Sequence, residues 1–373
     1  MKKTLDGTFL DYFDEIEDPR SEKNKLYSVH EILLVTICAL ICGAESWRDL
    51  VIFGKEKIDF LKEYLPFKNG IPSKNTYCRF FGDLKPEQFK DCFIEWVKSL
   101  GIIANDIIAI DGKQLRSSFD KKNDKSAIHM VSAFSTNARL VLAQQKVDDK
   151  SNEITAIPKL LKLLDIKCNI VTIDAMGTQK DIATNIIEQD ADYILALKGN
   201  HSTLHSDVID FFTDNIGQPK SGICKSSEVD CGHGRIETRT CYVTEAIDWL
   251  GELKFPGMKS IICIDSERVI GDKASTEKRF YISSLPANAK IINSAIRSHW
   301  TIENQLHWSL DVTFNEDNSR IRNNNAAENM AMIRHVALNL LQQAKNKFKN
   351  TSLKALRKKA GWGTSALKVI LQQ

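Results

Sequence analysis

The stretch IIAIDGKQL (107–115) decides the fold, because four apolar residues lead directly into the carboxylate of Asp111. A short apolar run of this kind predicts a buried strand. NIVTID (169–174) repeats the pattern and ends in Asp174. An unpaired buried carboxylate is costly, so we expect each aspartate at a sheet edge or beside a neutralising charge. Gly112 permits a turn after the first strand, and an aspartate that only caps a turn would give the same pattern.

Around these two strands, the spacing of the apolar residues predicts further strands and helices in a regular order. IHMVSAFS (128–135) and ARLVLAQQKV (138–147) predict a hairpin across Thr136-Asn137. Helix, strand, helix and strand patterns then follow at 154–164, 169–174, 180–189 and 193–199. The order β-β-β-α-β-α-β predicts an α/β core with a ribonuclease-H-like mixed sheet. Alternation of strands and helices alone would not distinguish this sheet from a parallel one.

The first 103 residues are predicted to form an all-helical N-terminal domain. Ser28 and Glu31 have the spacing of a capping box, and Pro86 suits the first turn of a helix. Between them, GIPSKNTYCRFFGDL (70–84) resembles a helix-turn-helix, although an ordinary helical hairpin explains the pattern equally well. The residues that would face DNA in the first case are Ser73, Lys74, Asn75 and Arg79.

The core domain is predicted over 104–345, with a β-rich insertion at about 200–290. Strand patterns within the insertion lie at 238–247, 259–269 and 278–286. Helical periodicity resumes around 294–308, and 324–344 has the spacing of a long amphipathic helix. Residues 346–373 are predicted to be a basic C-terminal tail, because eight lysines and arginines and no acidic residue occur after residue 340. Such a tail fits a phosphate backbone, or is a solvated surface.

Composition places the chain among soluble globular proteins, with 43% hydrophobic and 27% charged residues. The longest apolar stretch, 32–44, is too short to cross a bilayer. Asp6 and Asp11 interrupt the N-terminus, which therefore lacks a signal-peptide core. Nine scattered cysteines without a CxxC pair are expected to be reduced. These features predict a cytoplasmic protein with no membrane partner.

Glu303 is the third carboxylate of interest, and it lies in the helical stretch HWTIENQLHW (299–308). His299 and His307 are four residues away on either side, so all three share one helix face. The HExxH order of zinc proteases is absent. Two strand-end aspartates and a helical glutamate can bind two divalent cations on a phosphodiester. Carboxylate oxygens select Mg²⁺, with Mn²⁺ as a substitute.

A set of longer motifs extends over nearly the whole chain. They are AIDGKQLR (109–116), KSNEITAIPKLL (150–161), TIDAMGTQ (172–179), LKGNH (197–201), HGRIETR (233–239), RSHWTIENQLHWSLDVTFNEDNSRIR (297–322) and AAENMAMIRHVALNLL (326–341). Together they resemble the DDE-type insertion-sequence transposases, and among these the H-repeat-associated group. The resemblance implies a ribonuclease-H-like DDE catalytic domain that is cut by a β insertion and preceded by a helical domain.

The resemblance also implies that Asp111, Asp174 and Glu303 are the catalytic and metal-binding triad. Many relatives surround the glutamate with a Tyr-Arg-Glu-Lys signature, whereas this chain has Ile296, His299 and Leu310 at the other three places. The phosphate-binding roles of that Arg and Lys therefore do not transfer. Residues that are expected to contact DNA instead are Lys113, Arg116, Lys180, Arg235, Arg297, His299, Trp300, His307, Arg320 and Arg322.

The implied function is a bacterial, nucleoid-associated DNA transposase. It would bind the terminal inverted repeats as a homodimer, cleave one strand, and use the freed 3′-hydroxyl to attack target DNA with two Mg²⁺ ions. A catalytically inactive or domesticated DNA-binding relative, and a nuclease without strand transfer, are the alternatives. Four residues alternate along a predicted strand and share one of its faces: His233, Arg235, Glu237 and Arg239. They either bind DNA or form a solvent-exposed face.

Overall fold

The computed structural model describes residues 9–101, 105–119, 126–148, 151–219, 221–232 and 234–373. Its strands join in one mixed sheet. In chain order they are β1 (Ile107–Gln114), β2 (His129–Ser135), β3 (Leu140–Lys146), β4 (Ile170–Ile173), β5 (Asp192–Leu197), β6 (Cys224–Gly232), β7 (Arg235–Thr244), β8 (Ser260–Ile270) and β9 (Lys273–Ser283).

The strand order across the sheet is β3-β2-β1-β4-β5-β9-β8-β7-β6. β1 pairs antiparallel with β2, and β2 with β3, whereas β1, β4 and β5 are parallel to one another. Parallel neighbours need crossover connections, and helices supply them between β3 and β4 and between β4 and β5. The first five strands thus form the ribonuclease-H-like core, and the predicted mixed α/β fold is confirmed.

Helices flank this sheet and continue beyond it at both ends of the chain. Among the described residues, no helix combines the length and apolar composition needed to cross a membrane. The helices are α1 (Val29–Ile41), α2 (Trp47–Glu56), α3 (Ile58–Leu61), α4 (Lys74–Asp83), α5 (Pro86–Ser99), α6 (Glu153–Leu161), α7 (Lys180–Ile187), α8 (Ser202–Asn215), α9 (Ala289–Thr301), α10 (Ala326–Ala344), α11 (Leu353–Trp362) and α12 (Thr364–Leu371).

The insertion differs from the predicted β-rich unit in two respects. It begins with helix α8, whose buried face consists of Leu204, Val208 and Phe212. Its last strand, β9, pairs antiparallel with β5, so β6 to β9 extend the sheet of β1 to β5 and do not form a sheet of their own. Strand pairing of this kind depends on residues that are far apart in sequence, which a local pattern does not reveal.

Gly112 does not form the predicted turn. β1 continues through it to Gln114, and Gly112 pairs with Val131 of β2. A Cβ at this position would lie 2.0 Å from Oε1 of Glu153 and 2.6 Å from Nε2 of His129. Glycine therefore leaves room for the paired side chains of Glu153 and His129, which a larger residue would displace, and the chain does not bend here.

Helix α10 is the central element of the helical layer, and almost all of its residues are buried. It packs against β3 and against helices α1, α4, α5 and α12. The amphipathic pattern of its sequence predicts that its polar residues face the solvent, yet Asn329 and Asn339 are fully buried. Asn339 exchanges two 2.9 Å hydrogen bonds with the backbone of Val141 in β3. The Nδ2 atom of each of these buried amides donates to main-chain carbonyls of a neighbouring segment.

The N-terminal helices share one apolar core with the sheet, and this core extends from Phe9 to Leu371. Ser28 and Glu31 form the capping box that was predicted for α1. The connection from α3 to α4 spans residues 62–73. Since a helix-turn-helix has a turn of about three or four residues, this connection has the wrong length for that motif. Residues 84 and 85 join α4 to α5, and both helices pack against α10.

The C-terminal segment 346–373 contains the two helices α11 and α12 in place of an extended basic tail. Leu356, Leu367 and Ile370 are fully buried against the rest of the chain. Two of the basic residues also bond internally: Arg357 donates to the carbonyl of Leu40, and Lys368 pairs with Glu63 at 2.7 Å. The apolar positions between the lysines are what hold this segment to the protein.

We expect Asn329→Ala to destabilise the protein by about 1–3 kcal/mol, because two buried carbonyls lose their donor. The Nδ2 atom of Asn329 donates to the carbonyls of Phe81 and Leu84 at 2.9 and 3.0 Å. Asn185→Ala is the matched control, since that amide donates to Asp181 at an exposed position of α7. Urea unfolding followed by circular dichroism measures both variants. Equal stability of the two would contradict the role given to α10.

We expect His335 of α10 to make the fold sensitive to acid. The side chain is buried, and burial lowers its pKa to about 3. The unfolded chain, with an ordinary pKa of about 6.5, binds the extra proton between these values, so stability falls as pH falls through that window. The loss is about 1.4 kcal/mol per pH unit. Unfolding free energies of His335→Gln between pH 7 and 5 should show a shallower slope, and an unchanged slope would refute this assignment.

Candidate active site

Asp111 and Asp174 are brought together by the parallel pairing of β1 with β4. The last pair of that ladder is Ile110 opposite Ile173, and each aspartate follows it by one residue. Neighbouring strands lie about 4.8 Å apart, so the two carboxylates leave adjacent strands at the same level. Asp174 also caps the turn that follows it, because its Oδ1 accepts from the amides of Met176 and Gly177 at 3.0 and 3.4 Å.

Glu303 reaches the same place from the helix that ends α9. The chain continues from α9 into two π-helical segments, Ile302–His307 and Ser309–Thr313. Such wide turns are rare and are frequently found at functional sites. The predicted helix is therefore present, but its winding changes at the glutamate. Glu303 is half exposed, whereas His307, one turn further on, is buried.

Asp111, Glu303 and His307 form a cluster in which one ligand atom of each lies within 4.8 Å of the others. Nδ1 of His307 is 3.5 Å from Oε2 of Glu303 and 3.7 Å from Oδ2 of Asp111. Burial, together with the Glu303 carboxylate, raises the pKa of Asp111 to about 7. The nearby His307 lowers the pKa of the more exposed Glu303. Two carboxylates this close repel each other unless a proton or cation lies between them.

His299, at the place of the signature arginine, is buried beside the cluster. Its Nδ1 and the hydroxyl of Thr172 in β4 are 2.9 Å apart and hydrogen-bonded. Burial lowers the pKa of His299, which favours the neutral imidazole. A neutral ring cannot replace the permanent charge of an arginine. The positive charge at this site comes from other residues.

One cavity of about 410 Å³ is lined by Asp111, Asp174, Glu303, His299 and Trp300. Three basic residues, Lys198, Lys278 and Arg279, also line this cavity, and Arg279 pairs with Glu277 of the same lining at 2.8 Å. Sequence reasoning missed these three residues. The LKGNH motif contains Lys198, but no pattern singled out Lys278 and Arg279, because their position depends on the pairing of β9 with β5.

A second cavity of about 760 Å³ adjoins the first, and Arg279 and Trp300 line both. We call it the arginine groove, after Arg235, Arg239, Arg268, Arg279 and Arg297. Three glutamates, at 228, 237 and 277, also line it. The guanidinium of Arg279 lies 5.0 Å over the ring of Trp300.

Two arginines of the groove differ in how well their charge is neutralised. Arg297 pairs with Asp230 and approaches Glu237 at 4.0 Å. Arg239 pairs with Glu237 at 3.2 Å, but its Nε and Nη1 are buried without a hydrogen-bond partner in the described part of the chain. Buried donors of this kind call for an acceptor. His233, the remaining member of the alternating set, lies outside the described residues.

Lys113 does not face the cavity as a free cation. Its Nζ lies 2.6 Å from Asp311 and 3.2 Å from both Glu316 and Asp317. Glu316 is buried and also pairs with Arg334 of α10 at 3.4 Å. Lys113 thus ties the strand of Asp111 to the segment that follows Glu303. The charge of Lys113 is thus paired with carboxylates of the protein, whereas the sequence predicted a contact with DNA.

The other predicted DNA contacts are dispersed. Arg116 is largely exposed and lies 3.3 Å from Asp317. Lys180 donates to the carbonyl of Glu252, and Arg322 donates to that of Ser117. None of these side chains lines the two cavities described above. Exposed residues elsewhere that keep a side chain open to solvent are Arg320 and, on α4 with its N-cap, Ser73, Lys74, Asn75 and Arg79.

The cluster fits a divalent metal ion. Two carboxylate oxygens and an imidazole nitrogen are ligand types that bind divalent cations. A cation between Asp111 and Glu303 would remove the repulsion that raises the pKa of the buried partner. Asp174 lines the same cavity but is not part of this cluster. The residues present can therefore hold a metal without any rearrangement of the strands.

Comparison with known proteins gives consistent similarities. A family model described as "Transposase DDE domain" matches residues 104–340, and one described as "DDE_Tnp_1-associated" matches 10–97. "Putative transposase YncI" of Escherichia coli O157:H7 is 43% identical over 370 residues, 98% of this chain and 94% of that protein. "H repeat-associated putative transposase YhhI" of E. coli K12 is 42% identical over 344 residues, 90% of each chain.

A shorter similarity concerns a protein whose name states a lack of activity. "Inactive transposase YbfQ" of E. coli K12 is 41% identical over 70 residues, which are 19% of this chain and 83% of that protein. Membership of this group therefore does not by itself establish catalysis, and the geometry of the three carboxylates becomes the relevant observation.

We expect Lys113→Met to destabilise the protein by about 3 kcal/mol, because three carboxylates lose a shared, largely buried cation. Lys85→Met is the matched control. Lys85 pairs with Glu17 at 3.4 Å, and both side chains are mostly exposed, so its removal should leave the free energy of unfolding nearly unchanged. Chemical denaturation compares the two variants. A Lys113→Met protein as stable as the control would show that the network contributes little.

Proposed function

The chain belongs to the DDE transposase family, and on that premise we propose that it cleaves DNA at transposon ends and transfers the 3′-hydroxyl to target DNA. The observation that carries the proposal is the common cavity of Asp111, Asp174 and Glu303. These residues are 63 and 129 positions apart along the chain. Two strands and one helix that bring three carboxylates to one cavity provide the metal-binding arrangement that phosphoryl transfer requires.

Asp111, Asp174 and Glu303 would hold two divalent ions, Mg²⁺ or Mn²⁺, because carboxylate oxygens suit these hard cations. When bound, such ions supply an activated water or hydroxyl and stabilise the leaving oxygen. Orientation of the substrate would depend on side chains of the protein. Lys198, Lys278 and Arg279 line the same cavity and would orient the scissile phosphate, whose charge they complement.

The DNA backbone would approach the cavity through the arginine groove. Five arginines outnumber three glutamates there, and Arg239 retains two buried donors without an acceptor among the described residues. Phosphate oxygens are suitable acceptors for a guanidinium. The exposed ring of Trp300 at the junction of groove and cavity can stack on a base. Binding should weaken steeply with salt, as backbone contacts do.

A homodimer on DNA follows from the proposed reaction, because two transposon ends must be held together for a coordinated transfer. The alternatives differ in their products. An inert DNA-binding relative would bind with salt dependence but would not cut. A nuclease without strand transfer would cut but would produce no joined molecules.

We expect Asp111→Asn to reduce Mg²⁺-dependent nicking of a repeat-end duplex by about 10²-fold or more, because the buried metal ligand loses its charge. Asp210→Asn, at an exposed position of α8, is the matched control and should cut like the wild type. Nicked and joined products are resolved on denaturing gels. Nicking by Asp111→Asn at the wild-type rate would show that the assignment of the site is wrong.

A further inference from the structure

His307 is the one member of the metal-binding cluster that the DDE triad does not include. Its side chain is only 7% exposed, and its Nδ1 faces the carboxylates of Glu303 and Asp111. Its other nitrogen, Nε2, is buried without a hydrogen-bond partner in the described part of the protein. A buried imidazole usually has a partner for each nitrogen, so the orientation of this ring requires an explanation.

The distances from Nδ1 of His307 to the two carboxylates are longer than those of ordinary hydrogen bonds. An N–H···O hydrogen bond spans about 2.7–3.2 Å, whereas Nδ1 of His307 is 3.5 and 3.7 Å from the two carboxylate oxygens. Two ligands of one cation, each about 2.0–2.2 Å from it, lie about 3.0–3.5 Å apart. The observed spacing is closer to that of ligands around a shared ion.

The tautomers of His307 lead to the same conclusion. If Nε2 carries the proton, the lone pair of Nδ1 points at two carboxylates, which is repulsive unless a proton or a cation lies between them. If Nδ1 carries it, its two possible bonds are longer than normal. A metal ion at Nδ1 removes the first difficulty, because neutral imidazole is a common metal ligand.

We propose that His307 supplies a nitrogen ligand, through Nδ1, to one of the divalent ions that Asp111 and Glu303 hold. This inference rests on the proposed function and deepens it. The ion at this position has a mixed nitrogen and oxygen ligand set, and the ion nearer Asp174 has oxygen ligands. Nitrogen ligands favour transition metals over Mg²⁺, so the protein should discriminate in favour of Mn²⁺ more strongly than a site of carboxylates alone.

The test uses Mn²⁺ as a spectroscopic probe in the full-length protein, without DNA. Pulsed electron paramagnetic resonance detects ¹⁴N coupled to bound Mn²⁺, and titration calorimetry measures the affinity. We expect a nitrogen coupling in the wild type, its loss in His307→Gln, and an affinity for Mn²⁺ that falls by at least about tenfold in that variant. The affinity for Mg²⁺ should change less, because Mg²⁺ prefers oxygen ligands.

His299→Gln is the matched control, since His299 lies in the same cavity but its Nδ1 is bonded to Thr172. This variant should keep the nitrogen coupling, and its loss there instead would move the ligand to His299 and overturn the proposal. Mn²⁺ bound to the wild type without ¹⁴N coupling would also overturn it, whether or not any variant folds. Neither result would affect the proposed function. Asp111→Asn that binds Mn²⁺ like the wild type would instead contradict the proposed metal site itself.

Discussion

Burial of helix α10 is the constraint on which the rest of the structure depends. Three of its polar residues bond to other elements: Asn339 to the backbone of β3, Asn329 to carbonyls at the end of α4, and Arg334 to Glu316. A buried polar group without such a partner would be costly, so these bonds fix the helical region relative to the sheet. The two family models divide the sequence near residue 100, yet the folded chain has one continuous core.

The candidate site is assembled from three independent supports. Parallel pairing sets Asp111 beside Asp174, α9 and its π-helical continuation present Glu303, and Lys113 joins β1 to the segment beyond that glutamate. Each support is on the side of the carboxylates that faces the protein, which leaves their other side to the cavity. The fold thus holds like charges close together, and the repulsion between them is the property that favours a cation.

Local sequence patterns were sufficient for the catalytic core. Apolar runs that end in aspartate predicted β1 and β4, and the order of strands and helices predicted the mixed sheet that is observed. Features that depend on distant partners were missed. Gly112 was interpreted as a turn because Glu153 and His129, which crowd it, are not its neighbours in sequence. Lys113 was assigned to DNA because its carboxylate partners lie about 200 residues away. The basic lining of the cavity depends on β9 pairing with β5.

That pairing of β9 with β5 has a mechanical consequence. Strands β6 to β9 belong to the same hydrogen-bonded sheet as the strands that lead to Asp111 and Asp174. They would therefore move together with those strands and not as a separate unit. A DNA duplex bound to the arginines of the arginine groove would then lie at a distance from the three carboxylates that is set by the number of intervening strands. Each strand adds about 4.8 Å. In the proposed reaction, the distance between the bound DNA backbone and the cleaved bond would therefore depend on the spacing of the protein's own strands.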